Sequence, residues 1–331
     1  MGYVIAVDAM GGDHAPGAVV EGVKCALAAY EDVSVQLYGP QDKLAGLEGV
    51  ERLTVCHAPQ VVDIHEPPML AVRKKTDSSL VQAMLAVREG RAGAVVSAGS
   101  TGALLAGGVL RIGRIQGIER PALTVVMPGR KKPFLLLDCG ANVDCQPVYL
   151  NQFALMGAVY MEKVMGVAQP EVRLVNIGEE AEKGNRLAKE AYQMMAAQQV
   201  YKFGGNIEAR EVPQGICDVV VADGFDGNLL LKYTEGLSAT LVGMLKDEMM
   251  RSAKAKLGAL LLKGALKAFK SRLSYQEYGG APLLGVKGAV IKAHGSSDAT
   301  AIMNAVRQAR TMLEGGVVAR IEEGVGRLTQ A

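Results

Sequence analysis

Six short stretches of this 331-residue sequence carry residue types that can hold an anion or move a proton. "VDAMGGDHAP" offers Asp8, Asp13 and His14 around a glycine pair. "SAGSTGALLAGG" offers Gly99, Ser100 and Thr101, whose amides and hydroxyls could cradle an anion at a helix start. "KAHGSSDATAIMNAV" repeats that offer with Ser296, Ser297 and Asp298, preceded by His294. "LDCGANVDCQP" delivers Asp138, Asn142 and Asp144; "NIGEEAEKGNRLAKEAY" adds Lys183 and Asn185; "DGFDGNLLLK" adds Asp223, Asp226 and Asn228. Capping and turn formation account for many of these residues taken singly. Lys183 is the cation among them best suited to a polyanionic ligand; its bland alternative is a solvated surface lysine.

Each stretch sits between an apolar run and a helical pattern. Runs such as 94–98, 134–137 and 218–222 read as strands buried on both faces, so the class is α/β with a mainly parallel sheet. In such a sheet the strand-to-helix loops open at the carboxyl ends of the strands, and the six loops are expected to converge there. No linker or repeat divides the chain, which reads as one domain over residues 1–331. One segment breaks the alternation. Residues 228–273 hold a proline-free helical pattern too long for a crossover, expected to fold as a projecting hairpin with its break near Gly258 and Gly264. Its tip would carry Leu257, Leu260, Leu261 and Leu262 among lysines, suiting a second subunit or a membrane interface.

Composition narrows the function. Net charge is +2, which gives little reason to expect nucleic acid, although local runs such as Arg73, Lys74 and Lys75 could meet an acidic partner. Hydrophobic residues make up 49% and mean hydropathy is +0.16, so a large buried core is expected. The five cysteines are odd in number and scattered, with no C-x-x-C, and read as reduced cytoplasmic thiols. Four dispersed histidines give no metal-site spacing. Neither a P-loop nor a G-x-G-x-x-G opens the first crossover. Met1 leads straight into a strand pattern, so no leader is expected, and no apolar run is long enough to span a bilayer.

The segments "AVDAMGGDHAP", "SAGSTGAL", "LLLDCGANVD", "NIGEEAEKGN", "DVVVADGFDGN", "YGGAPLLGVKG" and "IKAHGSSDA" together resemble the PlsX family of bacterial phosphate acyltransferases, in order and over nearly the whole chain. The resemblance implies transfer of a long acyl group from acyl carrier protein to inorganic phosphate. The resulting acyl phosphate would pass to a membrane-bound acyltransferase of phospholipid synthesis. It also implies a homodimer, peripheral membrane contact through the hairpin, no cofactor, and a Rossmann-like three-layer fold similar to phosphotransacetylase and to isocitrate and isopropylmalate dehydrogenases. On that basis the loops of Ser100/Thr101 and Ser296/Ser297, with Lys183, are expected to hold phosphate. Gly99, Asn142, Asn185, Asp223 and Asn228 are further candidates for substrate contact. His14 or His294 would assist proton transfer or donate to the developing oxyanion, and Asp13 or Asp138 would orient that histidine. Four alternatives stand beside this: an acyl-coenzyme A-dependent phosphotransacylase, a non-catalytic membrane-surface scaffold, a dehydrogenase of related architecture, and a route through an acyl-enzyme at Cys139.

Overall fold

Among the described residues the apolar runs form eleven strands: β1 Tyr3–Asp8, β2 Val33–Gly39, β3 Leu53–His57, β4 Ala94–Ser97, β5 Ala122–Met127, β6 Phe134–Leu137, β7 Glu171–Asn176, β8 Lys202–Glu208, β9 Val219–Val221, β10 Ala281–Leu284 and β11 Ala289–Lys292. The structure is a computed structural model and describes residues 2–272 and 279–328. The helices are α1 Gly17–Ala29, α2 Pro68–Lys74, α3 Ser79–Arg88, α4 Thr101–Gly107, α5 Pro147–Lys163, α6 Arg186–Ala196, α7 Gly224–Met250, α8 Ala253–Leu261, α9 Lys263–Arg272, α10 Ala299–Glu314 and α11 Val317–Leu328. A π-helical turn, Gly108–Ile112, continues α4.

All eleven strands share one sheet in the order β3-β2-β1-β4-β11-β10-β5-β6-β9-β7-β8. The alternating residues of each strand feed separate cores, as the period-2 geometry of a strand requires. Ile5, Val7, Val96 and Ile291 pack with Val23 of α1, Phe153 of α5 and Val306 of α10. Ala6, Val95 and Val290 point the other way, against Leu80 and Met84 of α3 and Leu104 of α4. That second face has a further core of its own around Val125, Leu136, Val220 and Leu231. The result is the expected three-layer α/β arrangement, with two separate cores on one side of the sheet.

The expectation that all six loops open at one edge is corrected. Strands β3, β2, β1, β4 and β11 are parallel to one another, and so are β6, β9, β7 and β8. Between the sets stand three successive antiparallel pairings, β11 with β10, β10 with β5 and β5 with β6. Three reversals leave the second set running opposite to the first. The register makes this concrete: Leu137 pairs with Thr124, while the adjacent Leu123 pairs with Leu283, Leu283 with Val290 and Val290 with Val95. The carboxyl end of β6 is therefore level with the amino-terminal halves of β11 and β4. The loops after β1, β4 and β11 open at one edge, and those after β6, β7 and β9 at the other. A strand-loop-helix pattern shows where a strand ends but not which way it runs relative to a distant one.

The arm breaks between Gly258 and Gly264, as expected, and at one further place. Its first helix starts at Gly224, because Asp223 caps it by accepting from the Asp226 amide at 2.8 Å. It ends at Met250, and α8 restarts after Ser252, whose hydroxyl accepts from the Ala255 amide at 3.1 Å. Gly258 lies inside α8, and the second break falls at Leu262, ahead of Gly264. Glycine lowers helix propensity by about 1 kcal/mol but supplies no side-chain acceptor, whereas a serine cap both ends one helix and begins the next. Leu273, the last residue of the expected arm, lies outside the described residues.

Candidate active site

Where β1, β4 and β11 end side by side, three loops interlock. Asp8 is the last residue of β1, and it accepts from the Ser97 hydroxyl at 2.7 Å and from the Met10 amide at 3.1 Å. The Gly99 amide donates to Ser97 Oγ at 3.0 Å. Gly11 has to be glycine here, since a Cβ would lie 2.5 Å from the Gly99 nitrogen and 2.8 Å from the Asp8 carboxylate. Gly12 follows in the left-handed region, φ +101. The Asp13 amide then donates to Gly295 O at 2.8 Å and the Ala293 amide to Ser97 O at 2.9 Å, which fixes the three loops to one another.

At their centre stands Lys292, the last residue of β11, with 9% of its surface exposed. Its ammonium donates to Ala98 O at 3.3 Å and to Ala293 O. Burial pulls its pKa down to about 8, partly opposed by the charges of Asp8 and Asp13. Burial likewise pushes the Asp8 carboxyl upward, against hydrogen bonds from Ser79, Ser97 and Met10 and the charge of Lys292. The buried Asp8 carboxyl and the buried Lys292 ammonium interact by charge, with the exposed Asp13 adding to the field, and an arriving anion would perturb this balance.

A cleft of about 110 Å³ opens beside this cluster, lined among others by Thr101, Lys232, Glu235, Lys292, His294 and Ser297. It lies between the two cores of the second sheet face, where α7, rising from the carboxyl end of β9, crosses back toward the first edge. From Gly224 to Glu235 that is about 16 Å at 1.5 Å per residue, enough to carry Lys232 and Glu235 there. His294 is oriented locally: the Ser296 amide donates to its Nδ1 at 3.2 Å, and the Ser296 hydroxyl lies 2.8 Å from the same atom. With Nδ1 an acceptor, the neutral ring carries its proton on Nε2. Ser297 is 5% exposed and its hydroxyl has no hydrogen-bond partner among the described residues. A buried, unpartnered hydroxyl beside a buried ammonium is a place prepared for a ligand oxygen.

The structure thus brings together Asp13, His14, Gly99, Ser100, Thr101, His294, Ser296 and Ser297, in loops at one edge. Ser100 also caps α4, accepting from the Ala103 amide at 3.4 Å. His14 is exposed, and no hydrogen bond joins Asp13 to either histidine among the described residues. Asp8, offered by the first loop, is a buried member of the site, and Lys292 is the site residue that sequence reasoning left out. The signal for Lys292 was a lysine closing an otherwise apolar strand, "AVIK", where a residue so placed has its head group buried at the strand's carboxyl end.

Asp138, Asn142, Lys183, Asn185, Asp223 and Asn228 belong to the opposite edge. Asp138 does not orient a histidine: its carboxylate accepts from the amides of Leu123, Ala141 and Asn142 and from the Asn142 side chain, at 2.6 to 3.2 Å. Burial nevertheless pushes its pKa up to about 6. Asn142 also donates to Pro121 O at 2.8 Å, and the Gly224 amide donates to Asn142 O at 2.7 Å, tying this loop to the start of α7. Asn185 and Asp223 cap α6 and α7, Lys183 is exposed, and Asn228 lies in the second turn of α7, beside Gly140. Cys139 is buried and its thiol is pushed well above the ordinary range by burial and by Asp138, a poor setting for an acyl-accepting thiolate. A larger cavity of about 650 Å³, lined by Glu162, Gln169, Tyr201 and Lys202 among others, holds no histidine and no buried cation among the described residues, so its size does not make it the reactive site.

The fold is an α/β architecture of the phosphotransacetylase type. Solved structures of similar fold include the EutD phosphotransacetylase from Staphylococcus aureus, 14% identical, TM-score 0.60, covering 94% of each chain. Another is a branched-chain phosphotransacylase from Enterococcus faecalis V583, 17% identical, TM-score 0.57, covering 94% of this chain and 99% of that one. At that identity the likeness concerns the fold. Sequence similarity goes further: the phosphate acyltransferase of Clostridium perfringens (strain SM101 / Type A) is 50% identical over 326 residues, 97% of this chain and 96% of its own length. That of Clostridium botulinum (strain Loch Maree / Type A3) is 48% identical over 332 residues, 99% of each. The family described as "Fatty acid synthesis protein" matches residues 3–320. The chain belongs to this family, the PlsX family, and is an acyltransferase that transfers an acyl group to phosphate.

Proposed function

We propose that the acyl donor is a long-chain acyl thioester of acyl carrier protein and that the acyl phosphate formed supplies phospholipid synthesis. The observation that carries the site assignment is the buried Lys292 ammonium beside the unpartnered Ser297 hydroxyl. Hydrogenphosphate bound there would be held by charge from Lys292 and by hydroxyls of Ser297, Ser296 and Thr101. One phosphate oxygen forms the bond to the thioester carbonyl carbon while the carbonyl electron pair moves onto oxygen, where His294 Nε2–H donates to the developing charge. Collapse breaks the carbon–sulfur bond, and the proton carried by hydrogenphosphate ends on the departing sulfur, because an acyl phosphate hydroxyl is much more acidic than a thiol. A dianionic nucleophile needs no strong protein base, so positioning and charge stabilisation carry the rate.

The arm supports the remaining parts of this reading. Along α7, Phe225, Leu229, Tyr233, Leu237 and Leu241 recur every four residues and are all exposed, a stripe suited to a second copy of the chain. At its far end Leu257, Leu260, Leu261 and Leu262 are exposed, Leu261 to 80%, with Lys254, Lys256 and Lys263 nearby. Among the described residues no helix is long and apolar enough to cross a membrane. Reversible contact with an anionic bilayer, where the product would meet its next, membrane-bound acyltransferase, fits such a tip.

Release of free thiol tests the reaction. With palmitoyl-carrier protein, thiol should appear only when phosphate is added, and faster than with palmitoyl-coenzyme A at equal concentration. Equal or greater rates with the coenzyme A thioester would overturn the carrier-protein reading in favour of an acyl-coenzyme A phosphotransacylase.

A further inference from the structure

The short helix α2 is clamped to the active-site wall at both ends. Its first residue, Pro68, packs on Gly102 in the first turn of α4, so tightly that a Cβ on Gly102 would lie 2.6 Å from Pro68 Cγ. At the other end the Arg111 guanidinium, from the π-helical turn after α4, donates to Val72 O at 2.7 Å and Arg73 O at 3.2 Å. The element that carries Ser100 and Thr101 therefore also fixes α2 in place.

The inner residues of α2, Ala71 and Val72, are buried, and its outer face is not. Met69 and Leu70 are each 48% exposed, and Arg73 and Lys74 are exposed with no ion-pair partner among the described residues. The neighbouring Lys75 differs, being held by Glu66 and by Val61 O. Across the Arg111 clamp the π-helical turn adds exposed Val109 and Leu110. Favourable placement at a helix C-terminus accounts for the two cations. It does not account for four exposed aliphatic and thioether side chains beside them on elements held this rigidly.

We propose that this face, Met69, Leu70, Val109 and Leu110 flanked by Arg73 and Lys74, is where the carrier protein docks to present its acyl thioester. The proposal rests on the carrier-protein reading above. The occupant is chosen by charge: unpaired cations beside an apolar patch complement an acidic helical partner with an apolar ridge. Reach agrees, because seven helical residues span about 10 Å, so a carrier seated on α2 stands about one helix length from Thr101 at the cleft. A flexible thioester arm can cover that distance.

The experiment compares two donors carrying the same acyl chain, one on carrier protein and one on coenzyme A, with the double variant R73E/K74E and separately with M69S/L70S. The expected result is a KM for the carrier donor raised at least tenfold in each variant, with kcat, the KM for phosphate and the coenzyme A kinetics within twofold of the unmodified protein. For R73E/K74E the defect should shrink toward 1 M salt, where the screening length is about 3 Å. Unchanged carrier kinetics overturn the proposal, as does an equal loss with both donors, which would mean that the substitutions disturb α4 and the cleft. Failure of the unmodified enzyme to use the carrier donor at all would overturn the carrier-protein reading itself and this docking site with it, and that control is read before any variant.

Discussion

The Ser97 hydroxyl donates to Asp8 Oδ2 at 2.7 Å across 89 residues of sequence, from the end of one parallel strand to the end of the next. That bond, with the Gly99 amide resting on the same hydroxyl, is how two loops of different origin acquire one geometry around Lys292. Ser97→Ala should therefore act on catalysis more than on stability. It leaves a buried Asp8 short of one donor, about 1–3 kcal/mol, and lets the Gly99 loop drift. Thiol-release kinetics should show kcat reduced by roughly tenfold or more with a melting temperature within a few degrees; a normal kcat would show that this bond does not set the loop.

Lys292 gives the sharpest expectation for pH. Its folded pKa of about 8 lies below the ordinary lysine value, so it is cationic at pH 7 and loses its charge as pH rises through 8. Affinity for phosphate should fall over that interval. Bound phosphate favours the charged form, so the limb in kcat should lie at higher pH than the limb in kcat/KM. Lys292→Met should lower kcat/KM for phosphate roughly 100-fold or more, the scale of losing one charge-stabilising donor, and should abolish the alkaline limb in phosphate binding. A variant that keeps the limb would assign it to another group.

Ser297 and His294 separate by which parameter they move. Ser297→Ala removes a donor to a charged ligand, about 1.5–3 kcal/mol or roughly 10- to 150-fold, and should appear mainly in the KM for phosphate. His294→Ala should appear in kcat, since Nε2–H meets charge that develops only in the transition state. Isothermal titration of phosphate against each variant would separate binding from turnover, and the opposite pattern would exchange their roles.

Asp138 should prove structural. Asp138→Asn places an amide among three backbone donors, and the expected cost is about 1–3 kcal/mol by chemical denaturation at pH 7. Because burial raises its folded pKa to about 6, the ionised form is penalised at neutrality, and the penalty fades as pH falls below 6. The stability deficit of the variant should therefore depend on pH between about 4 and 7, where the native carboxyl titrates. A deficit flat across that interval would mean that Asp138 does not titrate there.

The arm tip predicts a phenotype without a catalytic defect. Leu261→Asp with Leu260→Asp should reduce sedimentation with anionic vesicles by tenfold or more, since each buried CH₂ contributes ~0.8 kcal/mol, while turnover of a carrier-bound substrate in solution is unchanged. Retained vesicle binding would place membrane contact elsewhere.

Much of this site follows directly from local sequence. The glycine pair before Asp13, the serines and threonine at helix starts, and His294 after its strand are all set by rules acting within a few residues: close approach, capping and strand burial. The α/β class and the arm's existence are legible for the same reason. The polarity of the second half of the sheet is not, because it depends on which strands pair across more than 150 residues, as β5 does with β10, and no local pattern encodes that pairing. Only the tertiary structure decided that Asp138, Lys183 and Asp223 stand apart from His294 and Ser297, and that Lys292 closes its strand buried within reach of the charge of Asp8. Both outcomes turn on strand direction and burial, which arise when the sheet assembles.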